Sequence, residues 1–457
     1  MPFTSDLTTA PVPELIRRIA VPASVGFFFH TMYNVVDTFF GGLISTQALA
    51  ALSLAFPVFF ILIALGNGLA TGATALTANA LGSGDEEQAR RYALQGVAFG
   101  VTASAALAVF GTSVSPFLFS LLGASGEYLD MAVAYMSTIF GGSVFFMLVY
   151  MLNSVLNALG ETRPFRNFLI LGFFLNIVLD PWLIYGGLGV PALGFEGIAL
   201  ATVLTQVTGC FYLGFRAHKT GLLRWERASD ALPQWGPFKE IARQGLPASL
   251  NVLTVGLGIF VITYFISGFG REVVAAYGIA TRIEQMVLLP ALGLNVATLT
   301  LSAQNNGARR FDRIAETLAT VLRYGAWLMG GGALVVFFLA PWVMTLFTSD
   351  ARVVGSGVTY LRIDAFLLFG YVVLFCHVSA LQGMKRPMFA IWIGLFRQIA
   401  APALVFHLAT QVLDWGVTGV WWGIFFINWT AAGITVFYAR RVLARIEGSG
   451  EARSESQ

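Results

Sequence analysis

The sequence predicts an all-α integral membrane protein: twelve transmembrane helices in two six-helix bundles, related by a pseudo-two-fold axis along the membrane normal. Composition, recurrent apolar runs and an internal repeat predict it. Hydrophobic residues are 57% of the 457, charged residues 11%, and mean hydropathy is +0.75. A soluble domain carries about 25% charge, so a soluble chain of this length is excluded. Apolar runs of some 20 residues or more recur along the whole chain. A helix rising 1.5 Å per residue needs that length to cross about 30 Å of hydrocarbon. The runs lack the sustained apolar/polar alternation of a membrane barrel.

In order, the first span (14–41) holds Pro22, His30, Asn34 and Asp37. The second (47–81) and third (88–113) are rich in Leu, Ala, Phe and Gly. The fourth (127–156) carries Tyr135 and Asn153, the fifth (164–188) Asn176 and Asp180, and the sixth (194–217) Thr202, Thr205 and Gln206. The seventh (238–268) opens with Glu240 and Pro247, and the eighth (272–306) holds Arg282 and Glu284. After the ninth (312–342), the tenth (352–382) holds Arg362 and Asp364, the eleventh (388–411) Arg397, and the twelfth (416–444) completes the set. The domains expected are an N-terminal lobe over 14–217, a cytoplasmic linker over 218–237, a C-terminal lobe over 238–444, and a Ser- and Glu-rich disordered tail over 445–457.

The halves answer each other. "PASVG" at 22–26 matches "PASLN" at 247–251, and "LTANALGSG" at 76–84 matches "LSAQNNGAR" at 301–309, both at an offset of 225. "NALGETRP" at 157–164 matches "ALQGMKRP" at 380–387 at 223. Six spans is an even number, so the second half enters the membrane in the same direction as the first, the parallel-repeat arrangement of several transporter classes. A central cleft with alternating access is the expected consequence.

Lys and Arg give the orientation. Taking the N-terminal side as inner, 21 of them lie in inner connections and tails; only Arg271 and Arg352 lie in outer ones. Both termini are therefore expected in the cytoplasm of a multi-pass inner-membrane protein. The basic loops are read as topology, not as a nucleic-acid surface. Met1 to Pro13 has no positive charge and does not read as a removable signal peptide. Cys210 and Cys376 both fall in spans and show no disulfide or metal spacing.

Asymmetry between the halves singles out candidate site residues. By the repeat, Asp37 faces Ile262 and Asp180 faces a point near Pro402, so both carboxylates belong to the first half only. An ionisable group within a span costs about 2.5–3.5 kcal/mol on insertion scales unless it faces protein or water, and is a functional candidate by default. His30, Asn34 and Asp37 share one helical face, as do Asn176 and Asp180. Tyr135, Asn153, Thr202, Thr205 and Gln206 add polar groups in the same half. Carboxyls among apolar walls and amides suit proton uptake near neutral pH, and the same oxygens suit Na⁺. Asp37 is the stronger candidate, because Asp180 lies near the outer end of its helix. Pro22 interrupts the hydrogen bonds of the first span and is a candidate hinge. In the second half Arg282 and Asp364 are candidates, as a structural ion pair or as substrate contacts.

These residues resemble the multidrug and toxic compound extrusion transporters. The resemblance runs from about Leu15 to Arg445 and rests on "NVVDTFFGG" at 34–42, "NALGETRPFRN" at 157–167, "LNIVLDPWLIYG" at 175–186 and "SAQNNGARR" at 302–310, together with the repeat. Within the family the chain looks closest to the DinF-like branch. That resemblance implies a coupling-proton site formed by Asp37, Asp180 and Asn176, with Asn153, Tyr135 and Thr202 around it. The NorM-like branch implies a Na⁺ site with acids on the seventh and tenth helices. Tyr360 and Asp364 match its tenth-helix part, but the seventh span offers only Glu240 at its edge, which favours H⁺ over Na⁺. The resemblance further implies antiport of amphipathic, often cationic compounds by a monomer in the lipid bilayer, with no cofactor beyond the coupling ion. Forty Phe and 11 Met suit walls that repack around varied ligands. A flippase of lipid-linked substrates is the alternative, but deep basic residues for a pyrophosphate are confined to Arg282, Arg362 and Arg397. No HExxH and no paired His ligands point to an enzyme.

Overall fold

The computed structural model describes residues 6–225, 230 and 232–454, and every regular element among them is a helix. Glu226 and Arg227 of the linker lie outside the described residues. The first half consists of α1 (Val12–Ile44), α2 (Thr46–Gly82), α3 (Glu86–Leu121), α4 (Gly126–Gly141), α5 (Ser143–Ala158), α6 (Arg163–Tyr185) and α7 (Phe195–Lys219). The second consists of α8 (Trp235–Ser267), α9 (Arg271–Val287), α10 (Leu289–Gly307), α11 (Phe311–Thr345), α12 (Ala351–Ala365), α13 (Leu368–Gly383), α14 (Met388–Leu395), α15 (Ala401–His407) and α16 (Gly416–Ser454).

Nine stretches among the described residues are long and apolar enough to span a bilayer, and three bent pairs bring the number to twelve. Each bent pair falls where one span is expected. The α4/α5 bend of 48° sits at the Gly141–Gly142 pair, where helix propensity is low. The α9/α10 bend of 49° at Leu288 precedes Pro290, which has no N–H to donate. The α12/α13 bend of 52° has neither Gly nor Pro at its break; there the chain tightens, with the Leu367 N–H donating to the Asp364 carbonyl at 2.7 Å. The eleventh span is α14 and α15 with two wide turns, Phe396–Ala400 and Leu408–Val412. The first precedes Pro402, again a missing donor.

Side chains set the helix starts. Ser45 accepts from the Ala48 N–H at 3.0 Å before α2, and Asp85 from the Gln88 N–H at 2.9 Å before α3. Stops repeat between the halves. Gly84 closes α2 in the left-handed region at φ 77°, and Arg309, 225 residues on, closes α10 at φ 57°. The Asp85 N–H then donates to the Ala80 carbonyl at 3.0 Å, and the Arg310 N–H to the Asn305 carbonyl at 2.8 Å. Gly160 (φ 74°) and Lys385 (φ 60°) repeat the relation after α5 and α13. The repeat is thus one of backbone conformation as well as of sequence.

Two compact units form. Among the described residues, one is Val25–Leu250; the other is 6–24 together with Asn251 onward. The divisions fall inside α1 and α8, shortly after Pro22 and Pro247, and the described residues of the polar stretch 218–237 belong to the first unit. In the first unit Ala48, Ala51, Met136, Ile139 and Ile198 pack α2, α4 and α7 together, and Leu76, Val155, Phe168 and Leu213 pack the other end. In the second, Tyr277, Tyr360, Phe406 and Trp421 lie in one large core. Large apolar residues also face outward, as lipid-facing surface requires: Phe110, Phe211 and Trp327 are all exposed. Glycines admit close helix contact within each unit: a Cβ on Gly197 would meet the Leu183 carbonyl carbon at 2.8 Å. The tail expected to be disordered from 445 instead continues α16 to Ser454, through Gly448 and Gly450, for which helix propensity offers no reason. Residues 455–457 lie outside the described residues.

Candidate functional site

A polar cluster is buried in the first unit. Asp37 stands on α1 and is 8% exposed. From α6, Asn176 Nδ2 donates to Asp37 Oδ1 at 2.7 Å. The amide is oriented from behind, because the Thr205 hydroxyl on α7 donates to Asn176 Oδ1 at 2.9 Å. An amide has one acceptor and one donor end, so this bond turns the N–H toward the carboxyl. Thr202 on α7 lies 3.3 Å from Asp37 Oδ2 and 3.0 Å from the Ile198 carbonyl, able to donate to either. The i, i+4 spacing along each helix delivers these contacts: Asn176 and Asp180 share a face of α6.

Asp180 is wholly buried, and neither of its carboxyl oxygens has a hydrogen-bond partner. It lies close enough to Asp37 for the two carboxyls to interact. Its expected place near a wet helix end is thereby corrected: α6 runs on to Tyr185, and the packing of α6 on α7 encloses it. Tyr135 on α4 is buried near both acids, its ring 5.4 Å from Phe195. Tyr33, one turn before Asp37, is buried in the same cluster with its hydroxyl unpartnered. Sequence reasoning passed over it, although its spacing of four from Asp37 placed it on the same face.

The other expected residues lie at the margin. Asn34 is half-buried and donates to the His30 carbonyl of its own helix at 2.8 Å. His30 stacks on Tyr33 at 6.3 Å between centroids. Gln206 is half-buried and has no hydrogen bond to the cluster among the described residues. Asn153 on α5 is buried, with Oδ1 unpartnered and no bond to Asp37. Pro22 is buried within α1, which continues through it from Val12 to Ile44.

The second unit holds a comparable cluster that the sequence disclosed only in part. Glu284 on α9 and Asp364 on α12 are both buried and interact. The Tyr360 hydroxyl donates to Glu284 Oε2 at 2.7 Å, and Tyr371 is a second phenol beside it. Neither oxygen of Asp364 is partnered. Arg397 lies near Glu284 and donates to Asn428 Oδ1 at 2.9 Å. Tyr277 stacks on Trp421 at 5.9 Å to close the wall. Arg282 is exposed, so the pair weighed between Arg282 and Asp364 does not form. Two residues apart on α9, Arg282 and Glu284 face different ways, and it is the acid that turns inward. The carboxylate that the seventh span lacks is supplied by α9.

Comparison with known proteins agrees with this architecture. The family model described as MatE matches residues 22–182 and again 247–406, one copy in each half. The chain is 27% identical over 395 residues to a FAD transporter of Shewanella oneidensis, covering 86% of this chain and 87% of that one. It is 26% identical over 435 residues to a probable multidrug resistance protein NorM of Thermotoga maritima, covering 92% and 91%. A solved structure described as the outward-facing conformation of a multidrug resistance MATE family transporter superposes with a TM-score of 0.90 at 25% identity, covering 97% of this chain and 98% of that one.

Proposed function

The chain belongs to the MatE family of multi-pass membrane transporters, and on that premise we propose that it is a proton-coupled antiporter exporting amphipathic, often cationic small molecules by alternating access. Membership makes it a transporter of the multidrug efflux family and not an enzyme. The observation that carries the proton reading is the apposition of Asp37, held by Asn176 and Thr202, to Asp180, held by no hydrogen bond. Two acids of such unequal support hold one proton between them. Thr202 has a single proton to donate. Directed at Asp37 it supports the carboxylate. Directed at the Ile198 carbonyl it leaves Oγ free to accept from a protonated Asp37. Proton uptake and release therefore exchange one hydrogen bond between α1 and α7. Bending of α1 at Pro22 would carry that local change along the helix.

A second reading has its own observation. Glu284 and Asp364, with Tyr360 and Tyr371, form an acidic, phenol-lined cluster in the other unit, and coupling of H⁺ or Na⁺ there is the alternative. The likeness to a FAD transporter adds anionic dinucleotides to cationic drugs as substrate candidates, and lipid-linked substrates stay as the flippase alternative. We propose that the protein is a monomer in the inner membrane, with both termini cytoplasmic on the Lys and Arg distribution.

Efflux of a fluorescent cationic dye from proteoliposomes, under an imposed pH or Na⁺ gradient, tests the reading in wild type and Asp37→Asn. Efflux driven by the pH gradient and abolished in Asp37→Asn supports it. Efflux that survives the substitution but is lost in Glu284→Gln moves coupling to the second cluster. If neither gradient moves dye in wild type, the multidrug reading fails and flavin dinucleotides are the next substrates to load.

A further inference from the structure

We propose that the hollow formed by α3, α7 and the segment after α7 is a binding site for an anionic glycerophospholipid. The hollow measures about 620 Å³, within the ~300–1,000 Å³ of sites that hold small ligands. Leu94, Val97, Ala98 and Val101 line it from α3. Their i, i+3, i+4, i+7 spacing makes them one apolar stripe, about 10 Å long at 1.5 Å per residue. Gly214 recesses the α7 side; a Cβ there would come no nearer than 3.8 Å to Leu152 Cδ1. One end of the stripe is closed by His218, Arg224 and Trp225. Trp225 is 68% exposed, the placement of a side chain held at headgroup level between hydrocarbon and water.

Charge selects the occupant. Among the described residues no carboxylate lines the hollow, and neither Arg224 nor His218 has a carboxylate partner. Arg216 and Lys219 add charge from the same last turn of α7. An apolar stripe ending in an indole, an imidazole and an unpaired guanidinium matches an acyl chain, a glycerol backbone and a phosphate in that order. A zwitterionic lipid brings its own cation to the rim; a net anionic one does not. Basic pockets between membrane helices bind anionic headgroups for this reason. The inference needs only that the chain spans a bilayer and is independent of coupling ion and exported substrate.

The test is native mass spectrometry of the purified full chain offered equal amounts of phosphatidylglycerol and phosphatidylcholine of the same acyl chains. Wild type should retain phosphatidylglycerol preferentially. The double variant Arg224→Ala, His218→Ala should lose that preference at least about fivefold, the effect of one surface cation, and Arg224→Lys should keep most of it. Ala98→Trp, which leaves every cation in place but fills the hollow, should also lose the lipid. Equal retention of both lipids by wild type overturns the proposal. So does retention of phosphatidylglycerol by Ala98→Trp, because the cations would then bind without the hollow.

Discussion

Asp180 is wholly buried with two unpartnered oxygens, and the Tyr33 hydroxyl in the same cluster is unpartnered too. An unsatisfied buried polar group costs about 1–3 kcal/mol, and a protein keeps such a cost where function uses it. Asp180→Val, close in volume, should therefore raise the thermal midpoint of the purified protein, by about 1–3 kcal/mol of stability, while abolishing gradient-driven efflux. Tyr33→Phe, which removes the unpartnered hydroxyl, should likewise raise the midpoint and slow efflux. A clear fall of the midpoint in Asp180→Val would assign that residue a structural role. At this scale Asp37 was legible in the sequence, because a carboxylate in one half matched to an apolar residue in the other breaks the repeat; Asn176 was legible from the face it shares with Asp180, and Thr202 as a polar residue within the sixth span. Glu284 was not, because spacing along one helix shows which residues share a face but not which helix that face meets. Only the packing of α9 against α12 identifies its partners as Tyr360 and Asp364.

Turns carry the repeat at the level of elements. At Gly84 a Cβ would meet nothing within 4 Å, so any effect of substitution there is one of backbone conformation. An L side chain in the left-handed region costs roughly 1–2 kcal/mol. Gly84→Ala should destabilise the protein by about that amount. Arg309→Gly, at the matching turn with φ 57°, should stabilise it by less, because the added glycine also loosens the unfolded chain. Thermal midpoints of the two variants check the opposite signs; a Gly84→Ala protein as stable as wild type would mean the turn adapts. The helices themselves were readable from apolar length alone. The bends at Gly142, Leu288 and Phe366 were not, and the reason differs among them. The first two have local causes in the Gly pair and Pro290, signals that a long apolar run masks. The third has no local sequence cause; on either side of it α12 packs on α9 and α13 on α10.

For the molecule as a whole, topology is the property that sequence and structure address together. Twelve spans, an even number, are expected to return both chain ends to one side, where the sequence gathers its basic residues. The two outer exceptions share one acid: Glu272 lies 3.6 Å from Arg271 and 3.2 Å from Arg352. On the orientation expected from the sequence, it is the count of Lys and Arg, two against 21, that sets the bias, and not this pairing. Arg352 and Arg386 bracket a single span, α12 with α13, and both are exposed. In a background with Cys210 and Cys376 replaced by Ala, a cysteine at 352 should react with a membrane-impermeant maleimide on intact cells, and a cysteine at 386 only after lysis. The reverse pattern would invert the orientation and place the linker outside. Equal labelling of both positions would mean that the bent pair does not cross the membrane, and would reduce the count of spans on which the parallel relation of the two halves depends.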